Sequence, residues 1–151
     1  MSDTPVQSAL TALMPIKPTH VDFLRQKLID EPINRSGLDA VGTVHFARIF
    51  VFKKDNIQGI NSNLAAVITT YDGSFDKYIQ DFVNNDDVAA FFDSFLEAVD
   101  DEQAKKIIPV AKNSKAFAAL ILKYDVTNPA TKWGQWYSAY PELTVQNILH
   151  P

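Results

Sequence analysis

Apolar residues change their spacing several times along this chain, and each change predicts an element. Between Ser8 and Pro18, Leu10, Ala12, Met14 and Ile16 fall on alternate positions. That period predicts a first strand, ended by Pro15 and Pro18. Val21, Leu24 and Leu28 then recur at helical spacing behind Thr19 and Asp22, a cap and first-turn acid, so Thr19 to Ile29 is expected to be a helix with one buried stripe. Asp30 to Asp39 holds Pro32, Asn34, Ser36 and Gly37 and is expected to be a loop.

Val41 to Phe52 is a long run rich in β-branched and aromatic residues, which predicts the second strand. Leu64 to Tyr71 is expected to pair antiparallel with it across the polar connection Lys53 to Asn61. Asp72, Gly73 and Ser74 break that strand and start a helix whose Phe75, Tyr78, Ile79 and Phe82 share a face. Asp86 to Val99 presents a broad apolar face that includes Phe91, Phe92 and Phe95, read as core, and Asn84 to Asp87 is its solvated start. Asp100 to Lys106 predicts a short helical piece that ends before Pro109. Phe117, Leu120, Ile121 and Tyr124 define another helix, from Asn113 or Ser114 to Tyr124, and Asp125 to Thr131 is a loop. Trp133 to Tyr140 alternates like a last strand, and Thr144 can cap a short final helix with Val145, Ile148 and Leu149.

The order β, α, β, β, α, β with extra helices predicts an α+β fold of the ferredoxin-like kind, with a four-stranded antiparallel sheet. Helices would cover one sheet face, and a second sheet from a partner subunit would hide the other. Composition fits one domain. The 151 residues are 46% apolar, enough for a single core, and residues 1–7 read as a loose arm before a domain spanning 8–151. A net charge of −4 argues against a nucleic-acid partner, which calls for a basic face. The lack of cysteine excludes disulfides and thiolate chemistry. With neither a signal-like start nor a long apolar segment, the expectation is a cytoplasmic protein without a membrane partner.

Several segments resemble a known family. Ala12-Leu13-Met14-Pro15-Ile16-Lys17-Pro18, His45-Phe46-Ala47-Arg48, Tyr71-Asp72-Gly73-Ser74-Phe75 through Tyr78, and Tyr140-Pro141-Glu142-Leu143-Thr144-Val145 are similar to uncharacterised bacterial proteins of the dimeric α+β barrel superfamily. The superfamily includes cofactor-free monooxygenases, small isomerases, haem-degrading oxygenases, chlorite dismutases and dye-decolourising peroxidases. The resemblance implies a homodimer with a cavity between sheet and helices.

His45 and Arg48 stand out within the second strand. Three positions apart, they face opposite sides of a regular strand, and only a β-bulge would bring them together. One role for them is structural, with His45 hydrogen-bonded in the core and Arg48 paired to a carboxylate such as Asp72. The other is chemical: His45 handles a proton while Arg48, Asp72 and Tyr71 orient a small apolar organic molecule, in a cofactor-independent oxygenase or isomerase. Tyr78 and Trp136 are further candidate ligand contacts. Trp133, Trp136, Tyr137 and Tyr140 could line a pocket for a flat molecule or form core or dimer interface. Asp72 and Gly73 match the Asp-Gly pair of the dye-decolourising peroxidases in part, but Thr69 stands where that group has a glycine. The plainer role for Asp72 is to cap the following helix. Haem is the weaker alternative, since none of His20, His45 and His150 lies in the middle of a helix, and no spacing suggests protein ligands to a metal. A non-catalytic binding or stress-related module is the rival from outside enzymology.

Overall fold

A computed structural model describes residues 6–31, 35–127 and 134–151. The strands are β1 (Gln7–Pro15), β2 (Val44–Phe52) and β3 (Leu64–Asp72). The helices are α1 (Val21–Asp30), α2 (Arg35–Val41), α3 (Phe75–Val83), α4 (Asp86–Ala98), α5 (Ser114–Tyr124) and α6 (Val145–Leu149). Short 3-10 turns at Pro18–His20, Lys105–Ile107 and Val110–Lys112 join them. The strands form one three-stranded sheet in the order β1-β3-β2, with both pairings antiparallel. β1 and β2 therefore run parallel to each other with β3 between them.

The period-2 pattern of β1 is visible in its burial: Leu10, Ala12, Met14 and Ile16 all lie in the core. On β3 the same face carries Ala65, Val67, Thr69 and Tyr71, all buried. The helices close over this face with a file of aromatic rings. Tyr71 stacks on Tyr78 at 3.9 Å between centroids, Tyr78 meets Phe82 at 4.2 Å, and Phe92 lies 5.7 Å from Phe82 and 5.2 Å from Phe117. Such offset and tilted pairs add to the burial that holds helices on a sheet. Helix starts are set by short polar side chains. Ser74 accepts from Lys77 N, Asn85 from Val88 N, and Thr144 forms a reciprocal capping box with Asn147.

The expected four-stranded ferredoxin-like sheet is not formed. Residues 134–140 of the expected last strand are not a strand, and Trp133 lies outside the described residues. The outer edge of β1 is already used. Ala12 bridges to Asp125, Val126 N donates to Thr11 O, and the Asp125 carboxylate accepts from Thr11 N at 3.1 Å. A side chain thus takes the donor that a further ladder would need. A second correction concerns 35–39, expected to be loop, and Val41, expected to open the second strand; both are helical in α2. There Leu38 and Val41 pack against the core, and Asn85 Nδ2 donates to Gly37 O. Thr19 does not cap α1 either; its hydroxyl pairs with His20 Nδ1.

Among the described residues, helix α6 meets the far face of the sheet only at its Asp72 end. By alternation that face carries Leu13 on β1, Leu64 and Ile68 on β3, and Phe46, Phe50 and Phe52 on β2, none of which belongs to the core or packs against it. Phe46 is 75% exposed, and Arg48 is exposed beside it.

Near the end of α5, Asp101 accepts from Lys123 Nζ at 2.7 Å and also from the Tyr124 hydroxyl and Gln103 N. These donors, Lys123 first, hold its carboxyl down to about 2. A depressed folded-state pKa stabilises above the unfolded value and is lost as pH falls through the folded one. Acid denaturation from pH 4 down to about 2 is therefore expected to be less steep in Asp101→Asn, as read by circular dichroism. An unchanged acid limb would contradict this assignment.

Candidate functional site

Two places in the fold gather polar groups against apolar surroundings. The first is built at the start of β2. The register with β3 slips between Val44 and Phe46, so His45 is the extra residue of a bulge. A bulge re-aims a side chain that strict alternation would send elsewhere. Here it turns His45 towards Asp72, on the face that also carries Arg48. His45 Nε2 donates to Asp72 Oδ1 at 2.6 Å, with side-chain exposures of only 6% and 9%. The second carboxylate oxygen of Asp72 accepts from Val145 N at 2.7 Å.

Asp72 therefore adds an acceptor at the start of α6, which Thr144 caps, and does not cap the adjacent α3, whose cap is Ser74. Neighbouring bonds fasten the same segment. Gln7 Nε2 donates to the carbonyls of Tyr140 and Leu143 at 2.8 Å, and Gln146 Nε2 donates to Gly42 O at 3.0 Å. Both oxygens of Asp72 are engaged, and His45 faces a fixed partner. This cluster ties the C-terminal segment to the end of the sheet. Arg48 shares its face but forms no ion pair among the described residues.

The second place is a cavity of about 350 Å³ between the covered sheet face and the helices. Its floor is Ala47 and Ile49 of β2 with Val67 and Thr69 of β3. Leu38 of α2, Phe82 of α3, and Val88, Phe91 and Phe92 of α4 make apolar walls. Lys27 of α1, Glu31 just past its end, and Asp87, Ala90 and Ser94 of α4 complete the lining. The space exists because β2 places a small residue, Ala47, opposite Thr69 under the long side chains of α4. A cavity of this size, apolar with a few polar groups, lies at the small end of the range for organic ligands.

None of the expected site residues lines this cavity. His45, Arg48 and Asp72 lie on the other face of the sheet. Trp136 is 41% exposed in the 134–140 segment, with Tyr137 and Tyr140 more exposed still. Tyr71 and Tyr78 stand behind the floor in the core. Tyr78 donates to Thr69 Oγ1 at 2.9 Å, so it supports a lining residue from the second row. Burial, and then the charge of Asp125, push the Tyr71 phenol up to about 12 against a hydrogen bond from Ser8, and burial pushes Tyr78 upward too. Both phenols stay neutral near pH 7. Reasoning from sequence missed Lys27 and Glu31, although they lie three and seven positions after the buried Leu24, on the edge of its stripe.

Among the described residues no group of three or more His, Cys, Asp or Glu is placed to hold a metal ion. No helix among them is long and apolar enough to cross a membrane. No protein-family model, curated protein or solved structure matches the chain.

Proposed function

We propose that this protein binds a small, largely apolar organic molecule in the cavity between β2, β3 and the helices. The cavity itself carries the proposal: it is apolar on floor and walls, yet has charged groups at its rim. Its polar side chains are few against a mostly apolar lining, which supports binding as the first reading. Replacing Ala47 by Trp fills the floor without touching the His45 cluster. In Ala47→Trp, binding of a neutral naphthalene probe, followed by calorimetry, is expected to fall by at least about a hundredfold, a loss of about 3 kcal/mol. Equal binding by the variant would refute the site.

We further propose that the chain is a homodimer, joined through the uncovered sheet face. Three strands spaced about 4.8 Å apart, each nine residues at about 3.3 Å, offer roughly 400 Å² in projection. That is about half of what one partner gives a standard interface. The exposed rings of Trp136, Tyr137 and Tyr140 beside the β1 edge are of the kind enriched in interface cores and would enlarge the area. A second copy fits this face because its apolar residues need an equally apolar, slightly twisted surface, which another such sheet supplies.

A further inference from the structure

Building on the cavity as a ligand site, we propose that its ligand is a monocarboxylate whose carboxylate pairs with Lys27 in place of Glu31. Lys27 Nζ lies 2.8 Å from Glu31 Oε2, but the two side chains differ sharply in exposure, 14% for Lys27 and 64% for Glu31. The Lys27 side chain is thus largely covered along the cavity rim, while its partner reaches in from solvent. Such an i,i+4 pair with one exposed member contributes little and is screened by salt. A ligand carboxylate delivered by an apolar body already seated among Phe82, Phe91 and Ile49 meets the same ammonium with less water around it, where the attraction is stronger. Releasing Glu31 also returns rotamer freedom to its side chain.

Asp87 is the opposing charge on the rim. It is exposed and sits in the first turn of α4, where the helix N-terminus offsets its charge, so it opposes an anion less than Lys27 attracts one. Thr69 adds a polar point on the floor. Its oxygen accepts from Tyr78, which leaves the Thr69 hydroxyl proton for an acceptor on the ligand body. An ammonium-bearing ligand would instead need Lys27 turned aside to reach Glu31, against the shielded position of the lysine.

Calorimetry at neutral pH with three matched probes tests the proposal on the intact chain: a naphthalene carboxylate, the neutral naphthalene carboxamide, and a naphthylmethyl ammonium. The carboxylate is expected to bind about tenfold more tightly than the carboxamide, as a charge-assisted hydrogen bond in a shielded site should provide. Lys27→Met should lower carboxylate binding about tenfold, to the level of the carboxamide. Glu31→Gln, which alters only an exposed side chain, should strengthen carboxylate binding by a few-fold. Equal or tighter binding of the carboxamide or ammonium, or a carboxylate affinity indifferent to Lys27→Met, overturns the proposal but leaves the cavity as a site. Binding of none of the three overturns both.

Discussion

Asp72→Ala is expected to cost about 3 kcal/mol of stability, which for a domain of this size is a fall in Tm of roughly 6–12 °C. One carboxylate holds two donors that are distant in the chain, the imidazole of His45 and the backbone N–H of Val145. Removing it leaves a nearly buried histidine and an orphaned amide at the start of α6. His45→Gln keeps an N–H donor for Asp72 and is expected to cost about 1 kcal/mol. The order matters more than the size. A pair of reaction groups held for chemistry would give variants of unchanged or raised Tm, since sites are commonly kept at the expense of stability. Thermal denaturation of the two variants decides between these roles, and loss of protection in the amides of residues 145–149 by hydrogen exchange would locate the damage.

Phe50→Asp has the other large expected effect. Phe50 lies mid-strand on the uncovered face, in edge contact with Phe52 at 5.0 Å between centroids. A carboxylate there would be buried unpaired between two sheets, which at the centre of an interface costs about 4 kcal/mol and weakens the dimer on the order of a thousandfold. Sedimentation at micromolar concentration should show dimer for the natural sequence and monomer for the variant. A natural protein that sediments as a monomer would remove the dimer proposal.

How far the sequence could be read depended on the distance over which each feature is decided. α5 runs from Ser114 to Tyr124 as its spacing predicts, and the β2–β3 hairpin pairs antiparallel as expected. Both are local patterns. Helix α2 was hidden because Ser36 and Gly37 weaken its propensity, while Leu38 and Val41 gain their burial from distant elements. The expected last strand failed for a reason outside itself, the occupation of the β1 edge by Asp125. The bulge at His45 decides which residues share its face, yet no glycine or proline marks it. Asp72 looked like a cap for α3 because Ser74 and Phe75 follow it, whereas its true partner, Val145, is 73 positions away. The cavity was the least legible feature. Its walls are Phe91 and Phe92, whose helical spacing is that of any core, and only the placement of α4 over Ala47 leaves space between them.

The most direct test of the cavity as a ligand site is a set of intermolecular NOEs between a bound naphthalene probe and the methyl groups of the protein. Contacts to Leu38, Ile49, Val67 and Val88 are expected, because these line the cavity. Contacts to Leu13, Leu64 and Ile68 in their place would put the probe on the uncovered sheet face and contradict a ligand site between sheet and helices.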